Sequence, residues 1–158
     1  MLFFEDIEIG TITRLGSHSF TEDEIVAFAR AFDPQAFHLD AAAGARTHFG
    51  GLVASGWHAV AISSRLRAQA WARQHAALRR EGRPVPRLGP SPGFKNLKWL
   101  RPVRPGDTLA FASEVTAKKP SASRPEWGLV FTRESAADPA GAPVLEFTNC
   151  VFVERLEA

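Results

Sequence analysis

The sequence predicts an α+β fold in which one antiparallel sheet curls around a single long helix. Helical periodicity is confined to the first half of the chain, where residues 21–33 and 56–77 are expected to form a short and a long helix. From Phe94 onward the apolar residues alternate with a period of two, as they do in strands. At 158 residues the chain is long enough for one core, so a single domain over residues 1–158 is expected.

The short helix begins with a capping box. Thr21 can accept a hydrogen bond from the backbone N–H of Glu24, whose side chain can reach back to the cap. Apolar residues then recur along one stripe at Ile25, Phe28, Ala29 and Phe32. Pro34 disfavours helical dihedral angles at Asp33, so the helix is expected to end there.

The long helix has Ser55 as its expected N-cap and runs from Gly56 towards Ala77. Its first turns are apolar almost all round, which is typical of a buried helix, whereas its second half carries several arginines. Because only its start is suited to burial, this helix needs a sheet wrapped around that part.

The remaining elements are expected to be strands. Four of them are placed at residues 11–20, 109–115, 127–131 and 145–153. Turn signals occur at Pro105-Gly106 and around Asp138. The last three strands are therefore spaced like an antiparallel meander.

The composition of the chain indicates in which cellular compartment the protein is expected. No run of about eighteen apolar residues is present, so no transmembrane helix is expected. The acidic N-terminus MLFFEDIEIG lacks the basic region and apolar stretch of a signal peptide. The single cysteine, Cys150, excludes an internal disulfide and a multi-cysteine metal site, and its strand-like context predicts a small buried apolar residue. A cytoplasmic protein is expected.

Charge is divided unevenly along the chain. Residues 1–40 hold two arginines and eight acids, whereas residues 65–104 hold eleven lysines or arginines and one acid, Glu81. Such a basic block suits a phosphorylated small molecule or a polyanion, and a solvated helix face explains it equally well. The block lacks the interleaved aromatic residues of a platform for single-stranded nucleic acid, so nucleic acid is only a weak alternative. No membrane partner is expected, because no apolar run is long enough to span a membrane.

The segment FDPQAFHLD places two ionisable side chains at the end of the short helix. The helix macrodipole disfavours the negative charge of Asp33 at that position, which suits a carboxylate that acts as a base. His38 follows five residues later, and the two side chains could share a water molecule. The plain alternative is that Asp33 caps the helix and His38 fills space.

Three segments then carry a family resemblance: FARAFDPQAFHLD, FGGLVASGW and RPVRPGDTL. Together they resemble the MaoC-like dehydratases, the family of (R)-specific enoyl-CoA hydratases with the hot-dog fold. The first motif of that family is an Asp, four residues, a His and then x-Asp, which Asp33, His38 and Asp40 match. The resemblance extends over most of the chain.

The second motif of the family is a Phe followed after a few residues by His-Gly-Met. It is matched in part by Phe49, Gly50, Gly51 and Gly56. Ser55 stands in place of the His and Trp57 in place of the Met, and Gln35-Ala36 stands where Asn-Pro is common in the first motif. These departures touch the water-site loop and the pocket wall, so they bear on the substrate class more than on the reaction type.

The resemblance implies hydration of a trans-2-enoyl-CoA to a (R)-3-hydroxyacyl-CoA, or the reverse dehydration. Asp33 and His38 would hold and activate the water, and the Gly56 backbone N–H at the start of the long helix would polarise the thioester oxygen. No cofactor and no metal would be needed. A homodimer or larger homo-oligomer would be expected, with the active site near the subunit interface.

The same resemblance implies residues that would contact an acyl-CoA substrate. The pocket wall would be formed by Ser55, Trp57, Phe49 and Gly51. The phosphates of coenzyme A would meet Lys95, Lys98, Arg101 and Arg104, although a solvated strand edge explains these charges equally well. His48 and His58 are expected to be structural, because no metal-site motif accompanies them.

Two other functions stay open. A hot-dog thioesterase would use the same cavity and helix N-terminus to hydrolyse the thioester, but the spacing of Asp33 and His38 matches the hydratase motif. A non-catalytic module that binds acyl thioesters would have no need of an activated water.

Overall fold

A computed structural model describes residues 2–156 of the chain. Its elements in chain order are β1 (Ile12–Ser19), α1 (Glu22–Phe32), α2 (Ala36–Leu39), α3 (Ala41–Ala45), α4 (Gly56–Arg80), β2 (Gly93–Trp99), β3 (Thr108–Pro120), β4 (Trp127–Ala137) and β5 (Pro143–Glu154). The five strands form one antiparallel sheet in the order β1-β3-β4-β5-β2. The long helix α4 packs against one face of this sheet, so the predicted α+β architecture is confirmed.

The short predicted helix is α1, and both of its predicted ends are confirmed. The Thr21 side chain accepts a hydrogen bond from the Glu24 N–H at 3.3 Å, and Asp33 is the C-cap. The Glu24 carboxylate does not close the capping box. Its Oε1 instead lies 2.5 Å from Nε2 of His18, which ties the start of α1 to β1.

The long predicted helix is α4, which continues beyond Ala77 to Arg80. Ser55 is its N-cap, as expected, and accepts a hydrogen bond from the Trp57 N–H at 3.2 Å. Most of the residues that α4 buries come from its first half, namely His58, Ala59, Ile62, Ser63 and Leu66. The apolar ones pack onto buried side chains of β3 and β5, which explains why the first half of the helix is apolar.

The strands β3, β4 and β5 form the predicted meander. In β5 every second residue from Leu145 to Val153 is buried, and Cys150 is buried among them. In β4 the large side chains Trp127, Leu129 and Phe131 are only partly buried, and the smaller residues between them are buried. One of these is Gly128, where a Cβ would lie 2.1 Å from the Phe4 ring, so glycine leaves the room that the N-terminal segment needs.

Residues 41–51, for which the sequence predicts no helix or strand, begin with the short helix α3. A Cβ on Gly44 of this helix would lie 2.3 Å from the Gly51 carbonyl oxygen, so α3 packs directly on the chain that leads into α4. The Val53 N–H donates to the Phe37 carbonyl oxygen at 3.2 Å. These contacts hold α2 and α3 against the start of α4.

Among residues 2–156, no helix has both the length and the apolar character needed to cross a membrane. The helix α4 has the length, at 25 residues, but its second half carries charged side chains.

Candidate active site

The structure brings Asp33 and His38 together, the first at the end of α1 and the second on α2. His38 Nε2 lies 3.4 Å from Asp33 Oδ2, and both side chains are largely buried. The other ring nitrogen, Nδ1, donates to the Val53 carbonyl oxygen at 2.7 Å. In the neutral ring Nε2 therefore carries the lone pair, and it is directed towards the carboxylate.

Two side-chain donors hold the Asp33 carboxylate. The Ser55 hydroxyl donates to Oδ2 at 2.7 Å, and the Gln35 amide donates to Oδ1 at 2.9 Å. The Ser55 hydrogen bond is the main cause of a lowered pKa of Asp33; partial burial opposes it, and the Gln35 hydrogen bond acts with Ser55, as His38 does when its ring carries a positive charge. The helix macrodipole alone would raise this pKa, so the side-chain donors outweigh it and keep Asp33 ionised at neutral pH.

Ser55 joins the end of α1 to the start of α4. Its oxygen accepts the Trp57 N–H as the helix cap, while its hydroxyl proton is given to Asp33. The residue is 1% exposed, so this geometry is enclosed by packing. Ser55 was predicted as pocket wall; in the structure it also orients a carboxylate.

A cleft of about 440 Å³ opens in front of these groups. Its polar end is formed by Asp33, His38 and Ser55, and the backbone of Gly56 lines it as well. The other walls are mainly apolar and include Phe37, Phe49, Val53, Trp57, Trp99 and Val144. An apolar cleft in which a small number of polar groups converge is typical of a site for a small organic ligand.

Most of the residues that the sequence predicted for the site meet in this cleft. Besides Asp33 and His38, those that line it are Phe49, Ser55, Gly56, Trp57 and Arg101. Gly51, Lys95 and Lys98 do not line it. Gly51 packs against Gly44 of α3, and the two lysines lie on the edge strand β2, where Lys98 pairs with Glu146 at 2.8 Å.

Comparison with known protein families identifies the family of this chain. The model of the family described as "MaoC like domain" matches residues 8–128, which is more than half of the chain. The chain belongs to the MaoC-like domain family.

This MaoC-like domain is 35% identical to the MaoC-like dehydratase of Rhodospirillum rubrum, whose crystal structure matches it with a TM-score of 0.80 over 100% of both chains. It is 28% identical to the uncharacterized protein YdeM of Bacillus subtilis, over 96% of this chain and 98% of that protein. The unliganded R-hydratase of Pseudomonas aeruginosa, at 23% identity and a TM-score of 0.64 over 99% of this chain and 88% of that one, shares the fold. The sheet around α4 is the hot-dog fold that the resemblance implied.

The roles of two cleft residues of this MaoC-like domain, Gln35 and Trp99, are not evident from the sequence. Gln35 was noted only as a departure from the family motif, but its amide holds Asp33. Trp99 was not singled out, although its ring contacts Trp57 edge-on with the centroids 5.4 Å apart. Alternation along β2 shows that Trp99 lies on one face of a strand, but only the pairing of β2 with β5 shows that this face reaches the cleft.

His58 has different neighbours from those considered in the sequence. It groups with His18 and Glu24, whose ligand-type atoms all lie within 4.8 Å of one another, and not with His38 or His48. Arg65 donates to His18 Nδ1 at 3.1 Å, so His18 Nε2 carries the proton that contacts Glu24. The Arg65 charge disfavours a second cation beside it, and the hydrogen bonds account for this cluster.

Acid is expected to destabilise this domain through His58. Burial lowers the pKa of His58, the Glu24 carboxylate opposes this, and the positive charge of Arg65 lowers the pKa further. The unfolded chain then binds the proton at a higher pH than the folded one. The stability that neutral His58 provides is therefore complete above about pH 6.5 and is lost as the pH falls through the lower folded-state pKa.

Urea unfolding between about pH 8 and 5 measures this loss. His58→Phe, which keeps a ring between the neighbouring aromatic residues, is expected to flatten the pH dependence of the free energy of unfolding. His48→Ala, at an exposed histidine, is expected to leave it unchanged. An unaltered slope in His58→Phe would show that another group causes the acid sensitivity.

Proposed function

We propose that this MaoC-like domain is a hydro-lyase that adds water to a trans-2-enoyl-CoA to form a (R)-3-hydroxyacyl-CoA, and that the same groups catalyse the reverse dehydration. One observation carries the proposal: Asp33 Oδ2 lies 3.4 Å from His38 Nε2 in the wall of a mainly apolar cleft. Membership of the family and the similarity to the Rhodospirillum rubrum dehydratase support a hydratase or dehydratase activity.

The two acceptors are spaced to share one water molecule. A water can donate one O–H to Asp33 Oδ2 and the other to His38 Nε2, each at about 2.8 Å. An imidazole is intrinsically a stronger base than a carboxylate, and the Ser55 hydrogen bond weakens Asp33 further as a base. His38 Nε2 therefore accepts the proton as the water oxygen bonds to C3, while Asp33 orients the water and stabilises the imidazolium.

The electron pair of the C2=C3 bond then moves towards the thioester carbonyl, and negative charge develops on its oxygen. The Gly56 N–H, at the first residue of the 25-residue helix α4, lines the cleft and can donate to that oxygen. The helix macrodipole favours negative charge at the same place. The His38 imidazolium returns its proton to C2, so one water supplies both the new O–H group and the new C–H bond.

We place the coenzyme A phosphates next to this cleft. A more polar cleft of about 450 Å³ shares Arg101 and Pro102 with it and adds Arg104. Guanidinium groups suit phosphates, although Arg101 already pairs with Asp138 at 2.9 Å. Lys95 and Lys98 would then act from the neighbouring strand β2.

A second copy of the chain is the proposed partner. The strand β2 is at the edge of the sheet, so its outer backbone groups have no neighbouring strand among residues 2–156. Four large apolar side chains at or near this edge are exposed: Trp57, Phe94, Trp99 and Leu100. An open edge beside exposed apolar surface is typical of an interface. The cytoplasm stays the proposed location, because the single cysteine fits a reducing compartment.

The test follows the absorbance of the conjugated enoyl thioester with crotonyl-CoA and a longer enoyl-CoA. The wild type is expected to remove the conjugation without releasing free thiol. Asp33→Asn should lower kcat by about 10²- to 10⁴-fold, because the amide no longer attracts the water or the imidazolium. Asp23→Asn, an exposed acid in the first turn of α1, is the matched control and should retain wild-type activity.

Two outcomes would overturn the proposal. Release of free thiol with the double bond intact would favour the thioesterase. Binding of the enoyl-CoA without turnover, with an affinity that Asp33→Asn does not change, would favour the non-catalytic binding module.

A further inference from the structure

The start of α4 leaves one backbone donor free in the cleft. Of its first three N–H groups, that of Trp57 donates to the Ser55 hydroxyl oxygen at 3.2 Å and that of His58 donates to the Ser55 carbonyl oxygen at 2.9 Å. The Gly56 N–H has no acceptor among residues 2–156. Since Gly56 lines the cleft, this donor is available to a ligand.

The indole of Trp99 lies directly on Gly56. A Cβ added to Gly56 would lie 2.4 Å from Trp99 Nε1, 2.4 Å from Cε2 and 2.8 Å from Cδ1, so the nitrogen-bearing ring of the indole lies face-on over this residue. Trp99 also contacts Trp57 edge-on, and its backbone pairs with Leu145 of β5. Its N–H forms no hydrogen bond within the described part of the chain, and the ring lines the same cleft.

The two free donors are close enough to serve one oxygen atom. In standard geometry a Cβ position is about 2.5 Å from the backbone nitrogen of its own residue. Because Trp99 Nε1 is 2.4 Å from that position, it is at most about 5 Å from the Gly56 nitrogen. An oxygen that accepts from both donors at about 2.9 Å requires a separation below about 5.8 Å.

We propose that Trp99 is a catalytic residue, the second hydrogen-bond donor to the thioester oxygen. This inference rests on the proposed hydration reaction. When the water oxygen bonds to C3 and the C2=C3 electron pair moves to the carbonyl, the charge on the oxygen is shared between the Gly56 N–H and the Trp99 indole N–H. An indole N–H only donates, so it supplies a fixed dipole that does not titrate in the working pH range.

The contact of Trp99 with Gly56 explains why residue 56 is a glycine, and it makes a substitution of Gly56 hard to interpret. Gly56→Ala would place a methyl group into the Trp99 ring, so its activity loss would not separate a lost donor from a displaced indole. The informative change is at Trp99. Replacement of Trp99 by β-(3-benzothienyl)alanine keeps the ring shape and puts sulfur in place of the N–H, and Trp99→Phe removes the N–H with a smaller ring.

Both variants are expected to lower kcat for hydration about 10²-fold, with KM changed by no more than about threefold, since the donor acts mainly on the charge that develops in the transition state. A ring that merely forms the wall would raise KM and leave kcat intact. Trp127→Phe, at a tryptophan that packs on Phe152 away from the cleft, is the matched control and should behave as wild type.

A second readout does not need turnover. In a His38→Ala background, a bound dienoyl-CoA should absorb at longer wavelength than the free thioester, because donors to its carbonyl oxygen polarise the conjugated system. The benzothienyl replacement should remove most of this red shift. If the wild type hydrates enoyl-CoA but the benzothienyl variant keeps kcat within about twofold and the full red shift, Trp99 is not the second donor and the proposed function stands. If the wild type does not hydrate enoyl-CoA and the dienoyl-CoA binds without a red shift, the proposed function and the proposed donor both fail.

Discussion

Replacing His38 with alanine is expected to lower kcat for enoyl-CoA hydration by about 10³-fold. The His38 Nδ1–H is committed to the Val53 carbonyl oxygen at 2.7 Å, so Nε2 is the one nitrogen that can accept a proton from water. Asp33 cannot replace it well, because Ser55 and Gln35 lower the pKa of its carboxyl and make it a weak base. Without the imidazole the water is oriented but not deprotonated.

The measurement is the steady-state loss of enoyl absorbance, on protein whose circular dichroism matches the wild type. That check matters because His38→Ala leaves the Val53 carbonyl oxygen without its partner, which costs about 1–3 kcal/mol of stability. His48→Ala is the control at an exposed histidine and should keep kcat unchanged. If His38→Ala retained more than about a tenth of wild-type kcat while Asp33→Asn did not, Asp33 would be the base and the roles proposed for the pair would be reversed.

Replacing Arg67 with methionine is expected to lower the free energy of unfolding by about 3–5 kcal/mol, the largest effect on stability expected for this chain. Glu134 of β4 is 0% exposed and faces α4, where the nearest charge of opposite sign is Arg67 Nη1 at 3.3 Å. Its Oε1 also accepts the hydroxyl protons of Ser113 at 2.9 Å and Thr132 at 2.7 Å. Removal of the guanidinium would leave a buried carboxylate with neutral donors only.

Chemical denaturation of three variants tests this expectation. Arg73→Met, at an exposed arginine on the same helix, should change stability by less than about 0.5 kcal/mol. The double variant Arg67→Met/Glu134→Leu should recover most of the loss, because it removes both charges together. An Arg67→Met protein as stable as wild type would show that the pair does not hold α4 to the sheet.

Most helices and strands of this fold can be predicted from local sequence patterns. The ends of α1 were predicted from the cap at Thr21 and the break at Pro34, because capping and proline act within a few residues. The start of α4 was predicted from Ser55 for the same reason. The meander β3-β4-β5 was predicted from alternation and turns, but α3 was missed, because five residues are too few for a helical period to be recognised.

The site was predictable to the extent that its residues are close in the chain. Asp33 and His38 are five positions apart around a proline, so a local turn is enough to bring them together. The contact between Ser55 and Asp33 spans 22 positions, and the contact of Trp99 with Gly56 joins an edge strand to a helix. Neither can be deduced from spacing, because both depend on how β2 and α4 pack.

What the sequence by itself determined was therefore the order of helices and strands, the family motifs and the Asp33–His38 pair, since each depends on neighbouring residues. The tertiary structure decided the electrostatics of that pair. By the helix macrodipole alone Asp33 is a carboxylate with a raised pKa, whereas the buried Ser55 hydroxyl, brought in by α4, lowers it. The tertiary structure also decided which donors line the cleft. The free Gly56 N–H and the Trp99 indole become neighbours only when the sheet closes over the start of α4. A hydrogen bond or a ring contact between distant segments acts over a few ångströms, so it exists only after the fold has set those segments side by side.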